Sequence, residues 1–307
     1  MPNRLTTEIA DLHLRNPTIL AAGILGLTTA TLQEAIKQGA GAVTTKSISL
    51  KPRQGYANPA IVQIDNHSLL NAMGLPNPGA KHFAKEIKEL KRQRLHAPII
   101  ASVFGFTLDE FTHAAEILSK AGADAIELNV SCPHVKKTGS EIGQNPNLVS
   151  KVVKQVKNTI KKPIIVKLTP NVADITEIAT AAAKAGANAI TATNTIRAMA
   201  IDIETHTPIL ANKIGGLSGQ AVKPIAVRCV YEIYETVNVP IIGCGGITTW
   251  QDAVEFMLAG ASAIQIGTAI ASEGLGIFKS ISKGIDAYLR NKNFRSVKEI
   301  IGQAHRH

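Results

Sequence analysis

The sequence predicts an α/β fold, a closed (β/α)8 barrel, from three observations. The first is a set of strand-like runs led by glycine: "QGAGAVTTKS" (38–47), "AGADAIELNVS" (121–131), "AGANAITATNT" (185–195) and "AGASAIQIGTA" (259–269). Glycine suits the left-handed residue just past a helix end, so each run reads as helix end, tight turn and buried strand. The second is a set led by proline, "APIIASVFG" (97–105), "KPIIVKLTP" (162–170) and "VPIIGCGGI" (239–247), and proline is tolerated at the first residue of a strand. The third is composition: 45% hydrophobic and only 4% aromatic residues, which favours a parallel sheet under helices over a sandwich. With "TILAAG" (18–23) the strands number eight, each followed by an amphipathic stretch. That repetition is the TIM-barrel pattern, as one domain over 1–307. A doubly wound sheet usually carries a G-x-G-x-x-G turn after its first strand, and "AAGILG" does not supply one.

In chain order, "TTEIADLHLRNP" (6–17) reads as a short N-terminal hairpin plugging the bottom of the barrel. Helices are expected at 30–38, 78–93, 108–120, 145–160, 173–184, 219–235, 249–258 and 275–289, one after each strand. Two βα connections, 48–77 and 196–218, far exceed the usual length. The second contains "AIDIETHTPILAN", which alternates like a small hairpin. Long loops over the C-terminal face are where a barrel builds its active site.

The net charge of +10 could mark a nucleic-acid binder, but lysines alternate with acids along segments such as "KHFAKEIKELKRQR" (81–94), a solvated helix face. Neither nucleic acid nor a membrane is expected as a partner, since no apolar run reaches membrane-spanning length. Cys132, Cys229 and Cys244 are odd in number and widely spaced. They give neither a disulfide framework nor a metal-ligand spacing, and a reducing cytoplasm is expected.

The residues at the C-terminal strand ends carry the chemistry. They are Lys46-Ser47, Ser102, Asn129 with Cys132 beyond it, Lys167, Asn194-Thr195, Gly245-Gly246 and Gly267-Thr268. Two lysines among apolar strands are costly to bury unless they meet an anion or a polarised group. Converging with amides and a thiol, they point to a ligand site. The paired glycine ends of the last two strands fit a barrel phosphate site, where bare backbone and a helix N-terminus approach the phosphate. Cys229 in a helix and Cys244 inside a strand read as core filler.

Seven motifs together resemble dihydroorotate dehydrogenase: "LLNAMGLPNPG" (69–79), "ELNVSCPHVK" (127–136), "VKLTPNVADI" (166–175), "TATNTIRAMAIDIET" (191–205), "GGLSGQAVKPIAVRCVYEIY" (215–234), "IIGCGGI" (241–247) and "IQIGTA" (264–269). They run in order over nearly the whole chain. The cysteine loop resembles the soluble class 1 enzymes, and the "AIDIET…GGLSG…KPIA" run looks most like type 1B. The resemblance implies oxidation of dihydroorotate to orotate in pyrimidine biosynthesis on bound FMN. Cys132 would take the C5 proton while hydride leaves C6. Lys167 would stand by the flavin's pyrimidine edge. Lys46, Asn71, Asn129, Asn194 and Thr195 would hold orotate, with Ala72, Met73, Gly74 and Leu75 as the substrate loop. Lys46, Ser47, Ser102, Asn129, Thr193, Gly219, Gly245, Gly246, Gly267 and Thr268 would join Lys167 in holding FMN. The resemblance also implies a homodimer of barrels and a separate subunit carrying FAD and a 2Fe–2S centre, making a heterotetramer that hands electrons to NAD.

The chain departs from the family pattern at Ala22, Ser102 and His134, where serine, asparagine and asparagine are common. His134 reads as a solvated loop residue. Two other functions fit part of the same pattern. One is another FMN barrel acting on a reduced pyrimidine. The other is a non-catalytic barrel for a phosphorylated ligand, which would leave Cys132, Lys46 and Lys167 without a role.

Overall fold

The computed structural model describes residues 3–130 and 139–306. Cys132 and His134 lie outside the described residues. Eight parallel strands close into a barrel: β1 (Thr18–Leu20), β2 (Ala42–Thr44), β3 (Ile99–Val103), β4 (Ala125–Asn129), β5 (Ile164–Lys167), β6 (Ala189–Ala192), β7 (Ile241–Cys244) and β8 (Ala261–Ile266). Each pairs with its chain neighbours, and β8 returns to β1. The helices after them are α1 (Thr29–Lys37), α2 (Ala80–Arg92), α3 (Leu108–Lys120), α4 (Pro146–Thr159), α5 (Ile175–Lys184), α6 (Lys223–Thr236), α7 (Trp250–Leu258) and α8 (Ile277–Asn291).

Local chemistry starts the helices where they start. Thr28, Thr107 and Asp174 cap α1, α3 and α5 by accepting a backbone N–H of the first turn. Proline opens α4 and α6, where its missing N–H is not needed. The helix expected at 219–235 begins later, at Lys223, because Gly219 ends a strand with φ 98° and a 3-10 turn at Gln220–Val222 precedes α6.

The strand period of two sorts the barrel residues into two cores. Outward residues such as Leu20, Val43, Val103, Leu128, Val166, Ile190 and Ile264 pack under the helices. Inward residues form layers of four, drawn from alternate strands. The lowest is Ala42, Ala125, Ala189 and Ala263, above it Ile19, Ile100, Ile165 and Ile242, all buried with Ile9, Leu12 and Leu14. Those last three belong to an antiparallel hairpin, Thr7–Ile9 with Leu12–Leu14, so the N-terminal segment does close the bottom. Its two turn residues, Ala10 and Asp11, both take positive φ, as a two-residue hairpin turn requires.

Above the isoleucines the interior turns polar. The third layer is Thr44, Glu127, Thr191 and Gln265, each no more than 1% exposed. The fourth, two residues further along the other strands, is Ala21, Ser102, Lys167 and Cys244. This parity explains why Lys167 points inward: it stands two residues beyond the inward Ile165.

The two long loops are not loose. Ile61–Asp65, Ser68–Asn71, Ile196–Ala198 and Gly215–Gly219 pair into one antiparallel sheet, which roofs the C-terminal face. A small hairpin of Ile201–Asp202 with Thr207–Pro208 sits within the second loop. Among the described residues no helix is long and apolar enough to cross a membrane.

Candidate active site

Between the fourth layer and the roof lies a cavity of about 310 Å³, within the range of small-molecule sites. Its floor includes Ala21, Lys167 and Cys244. Lys167 is 4% exposed, and its Nζ donates to Gln265 Oε1 at 2.8 Å and lies 3.7 Å from Cys244 Sγ. Gln265 in turn donates from Nε2 to Glu127 Oε2 at 2.7 Å. Burial disfavours the Lys167 ammonium, but Cys244 and the Glu127 carboxylate outweigh it and hold the lysine above its ordinary range. Burial pushes the Cys244 thiol up, and the neighbouring Lys167 ammonium works the other way.

One wall is a chain of amides and hydroxyls. Asn194 Nδ2 donates to Asn129 Oδ1 at 3.3 Å, Asn129 Nδ2 donates to Ser47 Oγ at 3.0 Å, and Ser47 and Ser102 share a hydroxyl bond of 2.9 Å. Asn194 also fixes its own neighbour, accepting the Thr195 N–H at 2.8 Å. Lys46 enters beside this wall, its Nζ donating to Gly23 O at 2.8 Å. From the roof, Asn71 is tied to Gly216 O at 3.2 Å. The following turn, with Met73, Gly74 and Leu75 on the cavity, is held from behind. Arg53 donates to Gly74 O, and Asn77 bonds Ser49, Leu75 O and Gly79 N–H.

The opposite rim is bare backbone. Gly245 and Gly246 take φ values of 136° and 75°, open to glycine and strained for other residues. A Cβ on Gly246 would stand 2.7 Å from Lys223 Cβ and 2.8 Å from Gly219 O, so the strand end packs directly on the start of α6. Gly267 and Thr268 continue the rim, and Thr268 Oγ1 donates to Ser218 Oγ at 2.8 Å. The loop after Gly246 is locked by Asp252, whose Oδ2 accepts the N–H and hydroxyl groups of Thr248 and Thr249 at 2.9–3.0 Å.

The structure thus gathers Lys46, Ser47, Asn71, Met73, Gly74, Leu75, Asn129, Lys167, Thr193, Asn194, Thr195, Gly219, Gly245, Gly246, Gly267 and Thr268 around one cavity. Two expected residues stand back from it. Ala72 is buried with Leu70 and Leu210 on the face of the roof away from the cavity, because it follows the strand Ser68–Asn71 and alternates away from Asn71. Ser102 lies below the lining and meets the site through Ser47. Ala22 lines the cavity in place of the family's serine. Cys244, read from sequence as core filler, is half-buried on the cavity floor, and Gln265 joins it there without having been singled out. The strand parity that carried both was legible, since Cys244 follows Ile242 by two and Gln265 follows Ala263 by two.

The family model described as dihydroorotate dehydrogenase matches residues 4–289. A Pyrococcus abyssi protein called dihydroorotate dehydrogenase B (NAD(+)), catalytic subunit, is 52% identical over 300 residues, 98% of this chain and 99% of its own length. Proteins of the same name from Methanocella arvoryzae and Methanothermobacter thermautotrophicus are 52% and 48% identical over 303 residues each, with 98% or more of both chains covered. A family match and full-length identity of this order leave one conclusion: the chain belongs to the dihydroorotate dehydrogenase family.

Proposed function

We propose that this chain is the catalytic subunit of an NAD-linked, type 1B dihydroorotate dehydrogenase, which oxidises dihydroorotate to orotate in pyrimidine biosynthesis with FMN in the barrel mouth. The observation that carries the reading is Lys167, a buried ammonium on a cavity floor to which amides reach from three separate segments.

The residues fit FMN. The glycine rim of Gly219, Gly245, Gly246 and Gly267, with the hydroxyls of Ser218 and Thr268, offers the bare backbone and donors that a phosphate tail accepts. Lys167 supplies a cation for the pyrimidine edge of the ring, where reduction builds up negative charge. Bound FMN would supply the two-electron acceptor chemistry for the hydride that leaves C6 of the substrate. The protein's own work is positioning and proton transfer. Lys46, Asn71, Asn129 and Asn194 bind the substrate, and amides suit its imide edge because they both donate and accept. Met73, Gly74 and Leu75 close over it and exclude water. Cys132 Sγ, by resemblance to the family's base, takes the proton from C5.

The names of the relatives as catalytic subunits support a second chain in the functional assembly. We extend this to an FAD/iron–sulfur partner and a complex of two barrels with two partners, in the cytoplasm.

The test uses the purified chain's own colour. Anaerobic dihydroorotate should bleach a bound yellow flavin within the turnover time, and dihydrouracil should not. Bleaching by dihydrouracil alone would reassign the substrate. A folded chain with no flavin absorbance, and no uptake of added FMN, would defeat the reading altogether.

A further inference from the structure

The polar third layer is an anomaly within a barrel interior. Beneath it lie an isoleucine and an alanine layer, and apolar side chains would fill its volume at less cost. Yet Thr44, Glu127, Thr191 and Gln265 meet there, and Glu127 is 0% exposed. None of these four was expected to touch substrate or cofactor. Their bonds have one consistent direction. The Lys167 ammonium can only donate, so the carbonyl end of Gln265 must face it, at 2.8 Å. The amide NH2 of Gln265 is thereby turned across the barrel to β8's opposite strand, β4, where Glu127 Oε2 accepts it at 2.7 Å. Thr191 adds a second donor to the same oxygen at 3.1 Å, and Thr44 lies 3.4 Å from the Gln265 amide. The result is a relay from cation through amide to carboxylate, directly under the cavity floor. The ammonium faces the cavity, and the carboxyl beneath it is wholly shut off from solvent.

We propose that Glu127 is a positioning residue that sets the redox poise of the flavin: through Gln265 it holds the Lys167 ammonium at the floor and offsets part of its charge. The proposal rests on the FMN reading above. Its consequence has a sign that packing alone would not give. Two-electron reduction adds electron density to the ring, which a nearby cation favours and a nearby anion disfavours. Removing Lys167 should therefore shift the equilibrium toward oxidised flavin, and removing the Glu127 charge should shift it toward reduced flavin.

The experiment measures the flavin midpoint potential by equilibration with a reference dye, alongside FMN content and thermal stability. Lys167→Ala should favour the oxidised form. Glu127→Gln, which keeps the shape of the layer, should favour the reduced form about tenfold, or about 30 mV for a two-electron couple. The swapped double variant Glu127→Gln with Gln265→Glu returns a carboxylate to the relay, one link nearer Lys167. It should bring the potential back to the parent value or below it. If Glu127→Gln fails to retain flavin and the swap restores retention, the positioning role is supported as well. An unchanged or lowered potential in Glu127→Gln, a swap that keeps the single variant's potential, or loss of flavin from both variants would overturn the proposal and leave the layer structural. A parent protein that takes up no FMN would instead defeat the underlying functional reading, whatever the variants do.

Discussion

At the scale of residues, the division of labour between Cys132 and the described floor is a claim about pH. A free thiol titrates at about 8.5, so a cysteine base delivers more of its reactive thiolate as pH rises toward that value. Serine in its place has a hydroxyl that stays protonated throughout. Cys132→Ser should keep FMN and orotate binding, because serine nearly matches the thiol in size and polarity and leaves the residues of the polar wall, Asn194, Asn129 and Ser47, and of the glycine rim unchanged. Flavin reduction at neutral pH should slow by about 10² or more, the usual scale for a general base. Part of the rate should return in alkaline buffer. Stopped-flow reduction traces for parent and variant between pH 6 and 9 decide the matter, and superimposable traces would remove Cys132 from the proton step. The effect proposed for Lys167 and Glu127 is on a different quantity, the potential, which equilibration with a reference dye reads apart from these traces.

At the scale of elements, the loop from β7 to α7 shows how a rim of flexible glycine is made rigid. Thr249 caps α7 in a reciprocal box with Asp252, and Lys223 of α6 reaches across to Asp252 Oδ1 at 2.8 Å. Burial would raise the Asp252 pKa, but the Lys223 ammonium and the Thr248 and Thr249 N–H groups outweigh it and hold the carboxyl at about 2. Because this folded value lies below the unfolded one, the stabilisation is fully present above pH 4 and is lost as pH falls toward 2. The pKa difference corresponds to about 2 kcal/mol, about half of it gone at pH 3. Asp252→Asn should therefore lose stability against the parent at pH 6, with the gap narrowing by about 1 kcal/mol at pH 3. Urea melts at the two pH values measure it, and a gap of constant size would show that Asp252 acts by shape rather than charge. The same elements show what sequence could reveal. The eight βα units were legible because glycine and proline mark their boundaries and parity sorts their faces. Lys167 is expected in the site from its place at a strand end and from the resemblance, while the parity that turns it inward applies equally to Gln265 and Cys244. Those two were passed over because a glutamine or cysteine amid isoleucines gives no chemical signal until its partner across the barrel is known. The roof was illegible for a related reason. Its pairing of Ser68–Asn71 with Gly215–Gly219 joins segments far apart in the chain, and nothing local in either specifies the other. Gly219, read as helix, is the final residue of that strand.

At the scale of the whole molecule, the open question is where the electrons go. On the proposed function, each turnover would leave two electrons in the barrel mouth, beneath the sheet built from both long loops. An iron–sulfur centre needs four thiolate or comparable ligands, and the sequence holds three cysteines in all. Cys229 is buried in α6 and Cys244 lies on the cavity floor, so these two do not converge. Among the described residues no group of three His, Cys, Asp or Glu is placed to hold a metal ion. Among the described residues the eight parallel strands close into a barrel rather than a doubly wound open sheet. On the proposed function, the isolated protein should reduce small dyes with dihydroorotate but reduce NAD poorly, and it should run as a homodimer if two-fold assembly holds. NAD reduction should rise at least tenfold when an FAD/iron–sulfur partner is supplied, and size-exclusion chromatography with light scattering should then report two barrels with two partners. Assaying the chain alone against NAD, fumarate and a quinone separates the alternatives. Rapid NAD reduction without a partner would sink the two-subunit scheme, and rapid fumarate turnover would make the barrel a self-sufficient type 1A enzyme whose electrons leave by the same mouth through which the substrate enters.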